Sequence, residues 1–119
     1  MKILIAEDEP LMLKTLALRL SKDGHEVVTA SNGQQAMEVL LASSPDIIVT
    51  DIMMPFLSGI ELLTIAKKRQ KKIPVIVLSA MGQENIVIEA FKLGADDYIL
   101  KPFNPLELSM RVRRLMVTA

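Results

Sequence analysis

Ile47-Ile48-Val49-Thr50-Asp51-Ile52-Met53-Met54-Pro55-Phe56-Leu57-Ser58-Gly59 is the stretch whose reading decides the fold. It opens as a β-branched apolar run, short enough for a strand buried on both faces, and reaches a carboxylate before Pro55 and Gly59 break the pattern. Asp51 therefore falls at the carboxyl end of a strand. In an open α/β sheet that edge gathers chemistry, because the strand holds the backbone rigid while the loop beyond it exposes a reactive group.

On both sides of this strand, apolar runs alternate with amphipathic segments. Ile3 to Ala6 reads as a first strand, followed by Glu7-Asp8-Glu9-Pro10, which places acids and a proline in the first turn of a helix with Leu13, Leu16, Ala17 and Leu20 inward. Gly24 ends that helix, and Val27 to Ala30 is the second strand. Ser31 or Asn32 caps a second helix with Ala36, Val39 and Leu40 inward, and Pro45 stops it. Beyond the central strand, Ser58 caps a helix carrying Leu62, Ile65 and Ala66. Its basic end, Lys67-Lys68-Arg69-Gln70-Lys71-Lys72, is most simply a solvated last turn favoured by the helix dipole. Pro74 to Ser79 is a fourth strand that begins at its proline. Val87, Ala90 and Phe91 mark a fourth helix closed by Gly94, and Asp97 to Leu100 is a short fifth strand. Asn104-Pro105-Leu106-Glu107 supplies cap, first-turn proline and capping-box glutamate for a last helix with Leu108, Val112 and Leu115 inward. Five such strand-helix units imply an α/β fold, a five-stranded parallel sheet covered by helices on both faces.

Composition narrows the function. A chain of 119 residues, half of them apolar, is expected to be one domain, 1–119, with a well-filled core. Fourteen basic and fourteen acidic side chains cancel, so no whole-protein field draws in nucleic acid or an anionic membrane. Without cysteine there are no disulfides, thiolate metal sites or cysteine nucleophiles. No apolar run approaches membrane-spanning length, and the amino terminus turns acidic too early for a secretory signal; a cytoplasmic protein is expected. His25, before the second strand, reads as a surface residue, and the eight methionines as pliable core filling.

Polar groups stand at the carboxyl ends of four strands: Glu7 and Asp8, Asp51, Ser79 and Lys101. Each alone has a local explanation as a turn or cap residue. Together they describe a site. Carboxylates gathered there would repel one another, so one must stay protonated or a hard cation must sit among them. Oxygen ligands without histidine or cysteine point to Mg2+ or a similar ion. A carboxylate nucleophile beside a divalent cation, a lysine and a hydroxyl suits acceptance of a phosphoryl group.

The chain resembles the receiver domains of bacterial two-component response regulators over essentially its whole length. The matching pieces are Ile5-Ala6-Glu7-Asp8-Glu9, Asp51-Ile52-Met53-Met54-Pro55 with Ser58-Gly59, Leu78-Ser79-Ala80, and Gly94-Ala95-Asp96-Asp97-Tyr98 through Lys101-Pro102-Phe103. The resemblance implies the flavodoxin-like sheet order 2-1-3-4-5 of the chemotaxis regulators. It implies Asp51 as phosphoacceptor for a sensor histidine kinase or phosphotransfer protein, and Mg2+ held by Glu7, Asp8, Asp51 and the backbone carbonyl of Met53. Lys101 would pair with the aspartate and then the phosphoryl group, Ser79 would bond a phosphoryl oxygen, and Tyr98 would be the switch aromatic. The Lys101-Pro102 peptide is expected to be cis. By the same resemblance the protein is a switch rather than a turnover enzyme.

Two departures carry expectations of their own. Met53 and Met81, each two positions after a site residue, stand where members of the family often carry polar groups that influence attack of water on the phosphoaspartate, so slow self-dephosphorylation is expected. Asp97 and Arg111 resemble charges that pair two receivers in winged-helix transcription factors, through the fourth helix, fifth strand and last helix. Val87 replaces a basic residue usual in that arrangement, which weakens the homodimer expectation. Of the rival functions, a haloacid-dehalogenase-type Mg2+-dependent phosphatase wants a second acid where Met53 stands. A flavin-binding electron carrier wants a phosphate cradle where Glu7-Asp8-Glu9 would repel it. A phosphorylation-independent docking module would leave the filled chemical positions unused.

Overall fold

The computed structural model describes residues 1–54, 57–69 and 71–118, with the backbone alone at 117 and 118. Pro55 and Phe56 of the central stretch, Gln70 of the basic run and the terminal Ala119 lie outside the described residues. The elements are β1 (Lys2–Ala6), α1 (Pro10–Lys22), β2 (Glu26–Ala30), α2 (Gly33–Ser43), β3 (Ile47–Asp51), α3 (Gly59–Lys68), β4 (Val75–Ser79), α4 (Glu84–Lys92), β5 (Asp97–Leu100) and α5 (Pro105–Thr118). The strands form one sheet in the order β2-β1-β3-β4-β5, and every neighbouring pair is parallel.

Alternation along each strand divides the core in two, since successive side chains leave a strand on opposite faces. Leu4, Ile48, Val75 and Val77 pack on one face against Ala36 and Leu40 of α2, Leu62, Leu63 and Ala66 of α3, and Val87 and Ala90 of α4. Ile3, Ile5, Ile47, Val49, Ile76, Leu78 and Ile99 pack on the other against Leu16 and Leu20 of α1 and Leu108 and Val112 of α5. The β-branched run of β3 is buried throughout because it lies at the middle of the sheet with helices on both sides.

Helix boundaries follow from local hydrogen bonding. Asn32, rather than Ser31, caps α2, its side-chain oxygen accepting from Gln35 N at 2.8 Å. Ser58 and Glu61 make a reciprocal capping box at the start of α3. Three expectations differ. No acid lies in the first turn of α1, because the helix begins at Pro10 with Glu9 as its cap residue, which frees Glu7 and Asp8 for the strand edge. Glu107 gives its carboxylate to Arg111 at 3.1 Å, and Asn104 opens α5 through its own Oδ1, which accepts from Leu106 N at 2.9 Å. The basic run is not simply a solvated last turn: α3 ends at Lys68, Lys67 Nζ pairs with Asp96 at 2.7 Å, and Arg69 donates to Ser44 Oγ at 2.8 Å.

Candidate functional site

Asp51 owes its position to the backbone that follows it. Ile52 N donates to Leu78 O of β4 at 2.9 Å, which carries the parallel ladder one step past the aspartate, and Gly59 N donates back to Ile52 O at 3.1 Å. The loop thus returns directly beneath the strand end. A Cβ at Gly59 would lie 2.3 Å from Asp51 O and 2.9 Å from Ile52 Cα, so only glycine allows this closure. Gly33, at the start of α2, does the same for the loop itself, where a Cβ would lie 1.9 Å from Leu57 O. Asp51, held there, is only 8% exposed.

The ends of two other strands, β1 and β5, deliver partners to it. Lys101, just past β5, reaches both Asp51 Oδ2 at 2.9 Å and Glu7 Oε1 at 2.6 Å. Its backbone N–H donates to Ser79 O at 2.7 Å, and the Lys101-Pro102 peptide is cis, as expected. Glu7, at the end of β1, has no exposed surface, and its second oxygen accepts from Glu9 N at 3.1 Å. Asp8 is exposed, yet one carboxylate oxygen from each of Glu7, Asp8 and Asp51 can be chosen so that all lie within 4.8 Å of one another. Met53 N donates to Asp51 Oδ1 at 3.4 Å.

The charges do not balance. Burial pushes the Glu7 carboxyl up to about 7, and the Asp51 charge adds to the effect, while the hydrogen bonds from Lys101 and Glu9 N oppose it. Burial alone would lower the Lys101 ammonium, but its hydrogen bonds and attraction to Glu7 and Asp51 outweigh that and hold it above the usual lysine range. One ammonium therefore faces three carboxylates, an excess of two negative charges that a proton on Glu7 halves and a divalent cation cancels. Oxygen donors of this number and closeness fit a hard divalent ion of the Mg2+ type.

Ser79 is buried at the end of β4, beside the same edge. Tyr98 stands apart from it, 42% exposed, its ring edge-on to Phe91 with centroids 5.8 Å apart. A groove of about 320 Å³ joins the two, lined by Ser79, Val87, Ile88, Phe91, Tyr98 and Leu100. Asp97, one residue earlier on β5, is buried and pairs within the chain with Arg111 at 2.8 Å and Arg114 at 2.7 Å. His25 is half-buried rather than free on the surface, its Nδ1 lying 3.4 Å from the terminal amine of Met1.

Sequence reasoning brought Glu7, Asp8, Asp51, Ser79 and Lys101 to one edge, and the structure has them there. It missed the steric role of Gly33 and Gly59, for which the only signal was a glycine at a helix start. It also treated Glu7 and Asp8 alike, although one is the most buried acid of the cluster and the other is exposed.

A family model described as the response regulator receiver domain matches residues 3–113. A probable transcriptional regulator, ycf27, of Cyanophora paradoxa is 42% identical over 115 residues, covering 97% of this chain and 48% of that protein. The alkaline phosphatase synthesis transcriptional regulatory protein PhoP of Bacillus subtilis is 36% identical over 115 residues, with the same coverage of 97% and 48%. The chain thus spans about half the length of the curated relatives it matches. Among solved structures, the receiver domain of the Francisella response regulator 1452 superposes with a TM-score of 0.87 at 38% identity, covering 96% of this chain and 94% of that one.

Proposed function

Because this chain belongs to the response regulator receiver domain family, and so acts in two-component signalling, we propose that Asp51 is the residue through which it accepts a phosphoryl group. The observation that carries this reading is the ammonium of Lys101 bridging Asp51 at 2.9 Å and Glu7 at 2.6 Å in a cluster otherwise entirely acidic. A histidine kinase or a phosphotransfer protein is the donor. An oxygen of Asp51 attacks phosphorus as the bond from phosphorus to the donor nitrogen breaks, and the product is an acyl phosphate.

Glu7, Asp8, Asp51 and the backbone carbonyl of Met53 would hold Mg2+, which when bound neutralises charge on the transferring group. Lys101 keeps its proton and follows the negative charge from the carboxylate to the phosphoryl oxygens. Ser79 donates its hydroxyl to one of those oxygens, which draws the end of β4 toward the site. The groove between Ser79 and Tyr98 gives the tyrosine ring room to turn inward in response.

The output surface is then α4, β5 and α5, where Ile88, Phe91, Leu100 and Met110 are exposed. Moving such a two-state surface from almost wholly off to almost wholly on takes about 5.5 kcal/mol of differential interaction. Phosphorylation-linked homodimerisation through this face is one output, and it would either exchange the Asp97 pairs with Arg111 and Arg114 between subunits or rest on the apolar residues. Sedimentation with beryllofluoride reads it, an unchanged monomer at high concentration counting against a dimer.

A turnover phosphatase using the same nucleophile would need a second acid where Met53 presents a half-exposed thioether. The domain is proposed to act in the cytoplasm as a switch, with no nucleic-acid contact of its own. No helix among the described residues is long and apolar enough to cross a membrane. Incubation with acetyl phosphate and Mg2+ tests the whole reading: a hydroxylamine-labile label should form on Asp51, vanish in Asp51→Asn, and need the metal. Labelling at another residue, continuous release of phosphate at enzymatic rates, or no label at all would overturn it.

A further inference from the structure

With eight methionines and no cysteine, the chain carries its sulfur only as thioethers. Met12, Met37 and Met54 pack against the two cores. Met53 and Met81 do not: they are 50% and 80% exposed, among the most exposed methionines of the chain. They stand two residues beyond Asp51 and Ser79, on the loops that leave the neighbouring strands β3 and β4. The Met53 amide touches Asp51 Oδ1 at 3.4 Å, so its thioether leaves the backbone immediately beside the carboxylate.

We propose that Met53 and Met81 are oxidation sites through which a peroxide shortens the lifetime of the phosphoryl group on Asp51, a proposal that rests on the phosphoacceptor reading above. In the chemical step a sulfur lone pair attacks one peroxide oxygen and the O–O bond breaks. The sulfur gains an S=O bond and is oxidised by two electrons, the peroxide is reduced by two, one at each oxygen, and the second oxygen leaves with the O–O bonding pair and the proton as water or alcohol. Exposure decides which methionines react, and position decides what the reaction does.

Hydrolysis of an acyl phosphate needs a water molecule held beside phosphorus. A thioether is a weak acceptor and gives that water no firm partner, whereas a sulfoxide oxygen is a polar acceptor on the same flexible stem. Oxidation therefore converts two apolar groups, on the loops that leave the adjacent strands β3 and β4 at this edge, into polar groups able to hold the attacking water. One net hydrogen bond to that water accelerates decay about two- to twelve-fold.

The test has two arms on the whole chain. Peptide mass mapping after hydrogen peroxide should find Met53, Met81 and the exposed Met110 oxidised ahead of Met12, Met37 and Met54. This arm does not depend on phosphorylation, and resistance of Met53 and Met81 overturns the proposal by itself. In the second arm, protein labelled with acetyl phosphate and Mg2+ should lose its label faster after peroxide, and methionine sulfoxide reductases with a dithiol should restore the slower rate. In the Met53→Leu, Met81→Leu double variant, peroxide should leave decay unchanged while Met110 still oxidises. Unaltered decay in oxidised wild type, or a peroxide response that persists in the double variant, overturns the proposal. Untreated protein that takes no label overturns the phosphoacceptor reading itself.

Discussion

Replacing Glu7 with glutamine should abolish a specific part of the protein's pH-dependent stability. Glu7 has no exposed surface, and its carboxyl is pushed up to about 7 from 4.5 by burial, with the Asp51 charge adding to the shift. In the window between those two values the native state holds a proton that the unfolded chain has released, so stability is full below it and is lost as pH rises through it. Integrating the linkage for this one group, from about pH 5 to about pH 8, gives a loss of about 2.5 kcal/mol. Glutamine keeps the shape and a carbonyl oxygen for Lys101 or Glu9 N but takes up no proton. Urea denaturation in buffer containing a chelator, at both pH values, should show wild type losing about 2.5 kcal/mol more than Glu7→Gln, with equal m-values. Burial and the nearby terminal amine lower His25 in the fold, which gives an opposite slope, but both proteins share it and it cancels. Parallel pH profiles for the two proteins would refute the idea that burial outweighs the Lys101 pairing and holds a proton on Glu7 in the fold.

The same proton should compete with metal. Since binding needs Glu7 ionised, apparent Mg2+ affinity measured by calorimetry should rise about tenfold from about pH 6 to about pH 8 in wild type, and far less in Glu7→Gln. Gly59→Ala forces a Cβ against the backbone of Asp51 and should cost about 3 kcal/mol in denaturant titrations, with slower labelling by acetyl phosphate. An unaltered midpoint would show that the loop closes in another way. Met53→Asn offers the attacking water a polar partner, and label on Asp51 should decay several-fold faster than in wild type; an identical time course would disprove the expected slow self-dephosphorylation.

What the sequence by itself determined was periodic or local. Strands came from short β-branched runs, helices from stripes such as Leu16 with Leu20 and Leu108 with Val112, and caps from Asn32 and Ser58, because each depends on residues within a turn or two of one another. The alignment of Glu7, Asp51, Ser79 and Lys101 was legible too, since parallel strands bring all their carboxyl ends to one edge. Their division of labour was not. Only the packed fold decided that Glu7 is sealed while Asp8 is open, that Glu107 turns to Arg111 rather than to its cap, and that Phe91 lies largely at the surface against Tyr98. Only the fold showed that Asp97 is spent on Arg111 and Arg114 of its own chain, and that Gly33 and Gly59 stand where another backbone passes. Burial, ion pairing and close approach join residues far apart in the chain, and a one-dimensional pattern carries no record of those distances.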